Sequence, residues 1–127
     1  IIEDSAIVGG CLGIHQFVHI GYLSMIGGMT RVTRDVPPFC LAEGSPGRLR
    51  GLNKVGIKRS GLIEKNNLNL KLLMKTWLLL FKSDYVISDA VQVAMSQEID
   101  FSSKRLCEFV KDSILSTRRG PLPVANI

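Results

Sequence analysis

No two of the three cysteines, Cys11, Cys40 and Cys107, form a CxxC pair, and their odd number and wide spacing argue against a disulfide framework or a zinc site. A reducing compartment, the cytoplasm, is therefore expected. Long apolar runs are also missing. The most hydrophobic stretch, Leu68 to Phe81, is cut by Lys71 and Lys75 and falls short of the roughly 20 apolar residues that span a bilayer, so no membrane insertion is expected. The first residues carry no signal-peptide pattern and start at Ile1 rather than Met, which reads as the downstream piece of a longer polypeptide. Glycine all but disappears late in the chain: eleven of the twelve lie between Gly9 and Gly61, and only Gly120 lies beyond. Two regions of different architecture follow from that.

What is present is an ordinary globular composition. The 127 residues are 46% hydrophobic and 21% charged, which excludes a disordered or collagen-like chain, and the length excludes a large multidomain enzyme. Charge is confined. Residues 31–75 hold ten Lys/Arg against Asp35, Glu43 and Glu64, a local excess of +7 that is larger than the +5 of the whole chain. The first thirty residues and the stretch 76–117 are each slightly acidic. Such a zone points to a discrete anionic partner, such as a phosphorylated ligand. Nucleic acid is not expected, because the basic residues lie in a glycine-rich connector without interleaved aromatics.

The front of the chain repeats. Read in sixes from Ile2, it gives IEDSAI, VGGCLG, IHQFVH, IGYLSM, IGGMTR and VTRDVP, each opening with Ile or Val: Ile2, Val8, Ile14, Ile20, Ile26 and Val32. The fifth places, Ala6, Leu12, Val18, Ser24, Thr30 and Val36, are small or aliphatic. A period of six suits short strands joined by tight corners in a parallel β-helix. The opening aliphatics should then point inward, and Gly9, Gly21 and Gly27, all in the second place, should take the positive φ of the corners. Three blocks per turn make two coils, stacked at about 4.8 Å. Pro37 and Pro38, in Asp35-Val36-Pro37-Pro38-Phe39, should end the repeat.

These blocks, with Ile14-His15-Gln16-Phe17, Gly27-Gly28, Asp35-Val36-Pro37-Pro38, Gly51-Leu52-Asn53 and Gly56-Ile57-Lys58-Arg59 in order, resemble the C-terminal part of the bacterial acyl-ACP UDP-N-acetylglucosamine O-acyltransferase family of lipid A biosynthesis. The likeness is dense over residues 2–62. It implies a left-handed parallel β-helix followed by a small α-helical domain, in a homotrimer with active sites in clefts between subunits. It also implies transfer of a 3-hydroxyacyl group from acyl carrier protein to the sugar 3-hydroxyl of UDP-N-acetylglucosamine. Neither metal nor organic cofactor is implied beyond the carrier's phosphopantetheine.

By the same resemblance His15 and Gln16 line the substrate cleft, Met25 and Gly28 bound the acyl-chain groove, Asn53 touches the nucleotide and Arg59 the diphosphate. A glycine at position 28 leaves room for a longer acyl chain. On sequence alone His15 is as readily a surface histidine, Gly28 a coil feature, and the basic zone Arg48, Arg50, Lys54, Lys58 and Arg59 a solvated face. Val55 stands where the family commonly has a carboxylate, and Ser60 where a second arginine often follows. The family's general base and oxyanion donor lie upstream of the aligned segment. No catalytic residue is therefore expected after Ile1, and this chain alone should not transfer acyl groups.

The organisation expected is coils over residues 1–37, a connector over 38–52, a helical domain over 53–120 and a tail over 121–127. A short helix should start near Asn53, and a longer one should run from Leu62 to Lys82 with Leu70, Leu73, Met74, Trp77 and Phe81 on its buried stripe. Ser88 should cap a third helix reaching about Gln97, and Ser102 or Ser103 a fourth that buries Leu106, Phe109, Val110 and Ile114, stopped by Arg118-Arg119-Gly120-Pro121. Two other readings stay open: a non-catalytic trimerisation or assembly remnant, and another hexapeptide-repeat acyltransferase.

Overall fold

The six-residue period does what it predicts, and the register shows how. In the computed structural model, which describes residues 1–10, 13–116 and 120–125, parallel partners lie 18 residues apart: Ile2 opposite Ile20, Ile7 opposite Met25, and Gly13 opposite Arg31. Three blocks therefore make one turn. The strands are β1 (Ile7–Val8), β2 (Gly13–Ile14), β3 (Met25–Ile26) and β4 (Arg31–Val32), with β1 pairing β3 and β2 pairing β4. Backbone bonds climb from coil to coil, as in the N–H of Gly9 donating to the Ile26 carbonyl at 2.9 Å and that of His15 to the Val32 carbonyl at 2.8 Å.

The stack continues past the two prolines. Ile20 pairs with Val36, and β5 (Cys40–Glu43) lies parallel to β3 with Met25 opposite Leu41, an offset shortened to 16 residues. The prolines do not stop it because both fall between Val36, which pairs with Ile20, and Phe39, whose N–H donates to the Tyr22 carbonyl at 2.9 Å. A further strand, β6 (Arg48–Leu52), turns back antiparallel on β5. The segment Gly120–Ala125 then closes over this end: Leu122 N–H donates to the Asp35 carbonyl at 2.8 Å, and Leu49 N–H to the Pro123 carbonyl at 2.9 Å.

Burial of the opening aliphatics depends on which coil they occupy. Ile20, Ile26 and Val32, each with a layer on both sides or a closed end above, are fully buried, whereas Val8 is half-buried and Ile2 and Ile14 are exposed in the first coil. The buried hydroxyls at the fifth places satisfy themselves locally, Ser24 Oγ donating to the Gly21 carbonyl at 2.8 Å and Thr30 Oγ1 to the Gly27 carbonyl at 2.7 Å. Cys11 and Leu12 lie outside the described residues.

The corners correct one expectation. Positive φ falls on the fourth place of the blocks, at Ser5, Phe17, Leu23 and Met29, and again at Phe39, not on Gly9, Gly21 or Gly27. The left-handed backbone costs a non-glycine residue roughly 1–2 kcal/mol, which the ladders on both sides of each corner must hold in place. The second-place glycines serve close approach instead. A Cβ on Gly21 would lie 2.7 Å from Pro38 Cα, and one on Gly9 3.1 Å from Gly28 N. Glycine is needed there because the next coil's backbone occupies the space of a side chain.

The helical region follows as α1 (Lys54–Ser60), α2 (Leu62–Lys65), α3 (Leu70–Phe81), α4 (Ile87–Met95) and α5 (Phe101–Leu115). The single helix expected from Leu62 to Lys82 is broken at residues 66–69. Asn67 takes φ 55°, and Asn69 caps α3 by accepting from Leu72 N–H at 3.0 Å; asparagine favours both roles over helix interior. Leu73, Trp77 and Leu80 of α3 are buried, with Trp77 tilted against Phe81 at 5.4 Å, a packing role. Ser88 does not cap α4; extended Val86 precedes that helix and no side chain caps it. Nor do Ser102 and Ser103 cap α5. Asp100 does, its carboxylate accepting from Ser103 N–H at 3.0 Å and Ser102 Oγ at 2.9 Å. A carboxylate two places before Ser102 wins because it also accepts the N–H of Asn69 at 3.1 Å, joining two helices. Leu106 and Val110 are buried as expected, with Phe109 and Ile114 half-buried. Arg118 and Arg119 lie outside the described residues.

Coils and helices share one continuous core, from Val18 through Trp77 to Leu122. Asp35 pins them together. It is buried, and its carboxylate accepts from His19 N–H at 2.8 Å on the coil side and from Ser113 Oγ at 2.7 Å on α5.

Candidate functional site

Where the coil corners meet α1, a cleft of about 510 Å³ opens. Ser5, Ala6 and Ile7 of the first coil and Tyr22, Leu23 and Met25 of the second form one wall, and Asn53, Val55, Gly56, Arg59 and Ser60 form the other. Cavities of similar size lie beside Arg34 and Leu122 and between α4 and α5, so volume does not single this one out. Chemistry does: three residues expected to meet substrate, Met25, Asn53 and Arg59, face it together.

Asn53 builds the α1 side. It is buried, its Oδ1 accepts from Gly56 N–H at 3.1 Å as the helix N-cap, and its Nδ2 donates to the Leu23 carbonyl at 3.1 Å. The asparagine before Lys54-Val55-Gly56 was a legible capping signal. Its second bond, to the strained corner at Leu23, was not legible. Gly56 must be glycine, since a Cβ there would sit 2.8 Å from Asn53 Cγ. With its amide engaged at both ends, Asn53 presents the start of α1 to the cleft more than it presents a free polar group.

In the last turn of α1, Arg59 is exposed and forms no salt bridge among the described residues, whose ion pairs are Arg50 with Glu43, Lys104 with Glu108 and Arg105 with Glu3. It is the single charged side chain in the lining, so the cleft offers one guanidinium fork against otherwise apolar or neutral walls. Such an arrangement suits a ligand with one anionic group and an apolar or planar body. Ser60 is committed elsewhere, donating to the Ile57 carbonyl at 2.6 Å and accepting from Leu62 N–H at 3.2 Å at the turn between α1 and α2.

His15, Gln16 and Gly28 do not line this cleft. His15 and Gln16 are exposed on a corner of the first coil, the histidine projecting from the stack as its second-place position requires. Gly28 is exposed on the second coil, and a Cβ added there would meet nothing within 4 Å. His19 is half-buried, with its backbone N–H on Asp35. Tyr22 and its partner Arg105, whose guanidinium carbon lies 4.1 Å from the ring centre, were not singled out in the sequence; 83 positions separate them, and no local pattern marks the pair. Burial pushes the Cys40 thiol up to about 12, against a small opposing pull from Trp77, and burial together with Glu108 pushes Cys107 to about 11. Both are packing thiols at neutral pH. Among the described residues no group of three or more His, Cys, Asp or Glu side chains is placed to hold a metal ion, and no helix is long and apolar enough to cross a membrane.

Comparison with known proteins bears on the whole chain. The family described as UDP N-acetylglucosamine O-acyltransferase, domain 2, matches residues 35–122. A protein of Gloeothece citriformis named acyl-[acyl-carrier-protein]–UDP-N-acetylglucosamine O-acyltransferase is 42% identical over 123 residues, 96% of this chain and 44% of its own length. A protein of Paracoccus denitrificans with the same name is 57% identical over 61 residues, 48% of this chain and 23% of its own. Among solved structures, the UDP-N-acetylglucosamine acyltransferase of Arabidopsis superposes with a TM-score of 0.82 at 28% identity, over 95% of this chain and 43% of that one. The Campylobacter jejuni enzyme gives 0.80 at 28% identity, over 98% and 46%. The chain thus spans less than half the length of these relatives.

Proposed function

The chain belongs to the UDP-N-acetylglucosamine O-acyltransferase family, and we propose that it serves as the C-terminal part of an enzyme that moves a 3-hydroxyacyl group from acyl carrier protein to the 3-hydroxyl of UDP-N-acetylglucosamine, the first step of lipid A biosynthesis. The observation that carries this reading is the cleft that gathers Met25, Asn53 and Arg59, in a chain whose relatives are named acyl-[acyl-carrier-protein]–UDP-N-acetylglucosamine O-acyltransferases. Arg59 takes the diphosphate and Asn53 flanks the nucleotide. His15 and Gln16 border the substrate from a separate corner, completed by a neighbouring subunit in a homotrimer whose β-helices are left-handed. Met25 and Gly28 bound the acyl groove, where the open space at Gly28 favours a long chain.

The reaction is an acyl transfer in which the sugar hydroxyl oxygen bonds to the thioester carbonyl carbon. The C–S bond breaks, the hydroxyl proton passes to a base and from it to the departing sulfur, and the carrier leaves as its phosphopantetheine thiol. Phosphopantetheine on the carrier is the only prosthetic group in the scheme, and the setting is cytoplasmic. No histidine among the described residues lines the cleft, and this reading assigns the base and the oxyanion donor to residues outside this chain. The test is product formation from 3-hydroxyacyl carrier protein and UDP-N-acetylglucosamine, with this chain alone and with the N-terminal half of a relative joined ahead of Ile1. Turnover is expected only from the longer chain. Equal inactivity of a folded longer chain would favour the non-catalytic assembly reading, and turnover by the short chain that vanishes in His15→Ala would make His15 the base.

A further inference from the structure

Arg105 lies in the second turn of α5, remote in sequence from every residue of the cleft. Its guanidinium is stacked on the Tyr22 ring, with Cζ 4.1 Å from the ring centre, and its Nη2 donates to Glu3 Oε1 at 3.0 Å. Tyr22 lines the cleft beside Asn53 and Arg59. The tyrosine is held on a second side, where it meets the Phe39 ring at 5.8 Å and 83°. The backbone joins the same residues in a circuit. Phe39 N–H donates to the Tyr22 carbonyl at 2.9 Å, Asn53 N–H to the Phe39 carbonyl at 2.6 Å, and Asn53 Nδ2 to the Leu23 carbonyl at 3.1 Å. Two corners in left-handed backbone, Leu23 and Phe39, sit inside this circuit. The wall that carries Tyr22 and the helix that carries Arg59 are thereby one unit, and Arg105 closes it from the outside.

We infer that Arg105 is a positioning residue for the cleft: stacked on Tyr22 and tethered by Glu3, it fixes the tyrosine as a rigid aromatic wall against which a ligand anchored by Arg59 is seated. The inference rests on the reading of the cleft as the nucleotide-sugar site. An ion pair as exposed as Arg105 with Glu3 contributes little to stability by itself. A guanidinium over a tyrosine face fixes the ring's orientation, and a cleft wall that is already ordered costs less to order on binding. Arginine suits the position because its planar fork can lie on the ring and still reach a carboxylate. By this route α5 sets the shape of a site to which it contributes no lining residue.

Calorimetric titration of UDP-N-acetylglucosamine into the full chain, with a melting temperature for each variant, tests this. Arg105→Met should weaken binding roughly three- to ten-fold with little change in melting, Arg105→Lys should recover part of the loss, and Glu3→Gln should weaken binding by about two-fold. Wild-type affinity in Arg105→Met beside a loss in Arg59→Ala would overturn the inference and leave the site standing. Wild-type affinity in Arg59→Ala, or no binding by the parent, would overturn the site and with it the inference. A loss in Arg105→Met that only follows a falling melting temperature would mark a structural role and also overturn it. If Arg105→Met does not fold, Arg105→Lys and Glu3→Gln decide, and parent-like affinity in both counts against the proposal.

Discussion

The coil stack and the helical region solve the same burial problem by opposite means. In the coils each residue is held by partners 16 or 18 positions away, so a layer is only as secure as the layer beside it. Val32 is fully buried, while Ile14, its partner one coil earlier, remains exposed. The helices are fixed by neighbours within a turn: Asn53, Asn69 and Asp100 each cap the helix that follows. The lesson is that the coil region has strict register and little local autonomy, and the helical region the reverse.

The contrast can be broken most sharply inside the stack. Ile26→Ala should cost about 2–5 kcal/mol of unfolding free energy, as for other fully buried aliphatics, whereas Ile2→Ala should cost well under about 1 kcal/mol because little area is lost; urea melts compare the two. Next comes the joint. Asp35→Ala leaves Ser113 Oγ and His19 N–H without their buried acceptor and should cost about 1–3 kcal/mol, with faster amide exchange in α5 as its structural sign. Layer contact is tested by a pair of glycines. Gly21→Ala forces Pro38 to move and should destabilise by roughly 1–3 kcal/mol, while Gly28→Ala enters open space and should be close to neutral in thermal melts.

The smallest effects are those of pH. Cys40 and Cys107 stay protonated in the fold to about 12 and 11, above the ordinary 9.0. The folded chain therefore binds more protons than the unfolded one above about pH 9, and stability should fall as pH rises through that window. Iodoacetamide at pH 8, read by peptide mass, should leave both unmodified until the chain unfolds. Asp100 runs the other way. Partial burial raises its pKa, but the N–H groups of Ser103 and Asn69 and the serine hydroxyls outweigh that and hold it below the ordinary carboxylate value. Its contribution is present above that value and is lost as pH falls through the lowered one.

Much of the coil architecture was legible because each block repeats one local environment: six residues per face and three faces per turn give the 18-residue register directly. The third partial layer was hidden behind Pro37 and Pro38, whose usual meaning is a stop. Corner geometry was misread because glycine advertises positive φ, and here the glycines answer a steric need while Leu23, Phe17 and Met29 carry the strain. In the helices the periodic stripes were readable, but two serines just after an aspartate leave the cap ambiguous, and Asp100 was settled by a contact from Asn69. At the cleft, the roles of Asn53 and Arg59 could be proposed from the family resemblance alone. The tyrosine wall and Arg105 could not, because the fold alone brings positions 22 and 105 together.

The most direct test of the account is where UDP-N-acetylglucosamine sits on this chain. Titration into the isotope-labelled protein, followed by backbone amide shifts, should move Tyr22, Val55, Gly56, Arg59 and Ser60 together, with one affinity that Arg59→Ala weakens by roughly ten-fold. Shifts confined to the cavity beside Arg34 and Leu122 or to the groove between α4 and α5, or no saturable shifts at all, would contradict it.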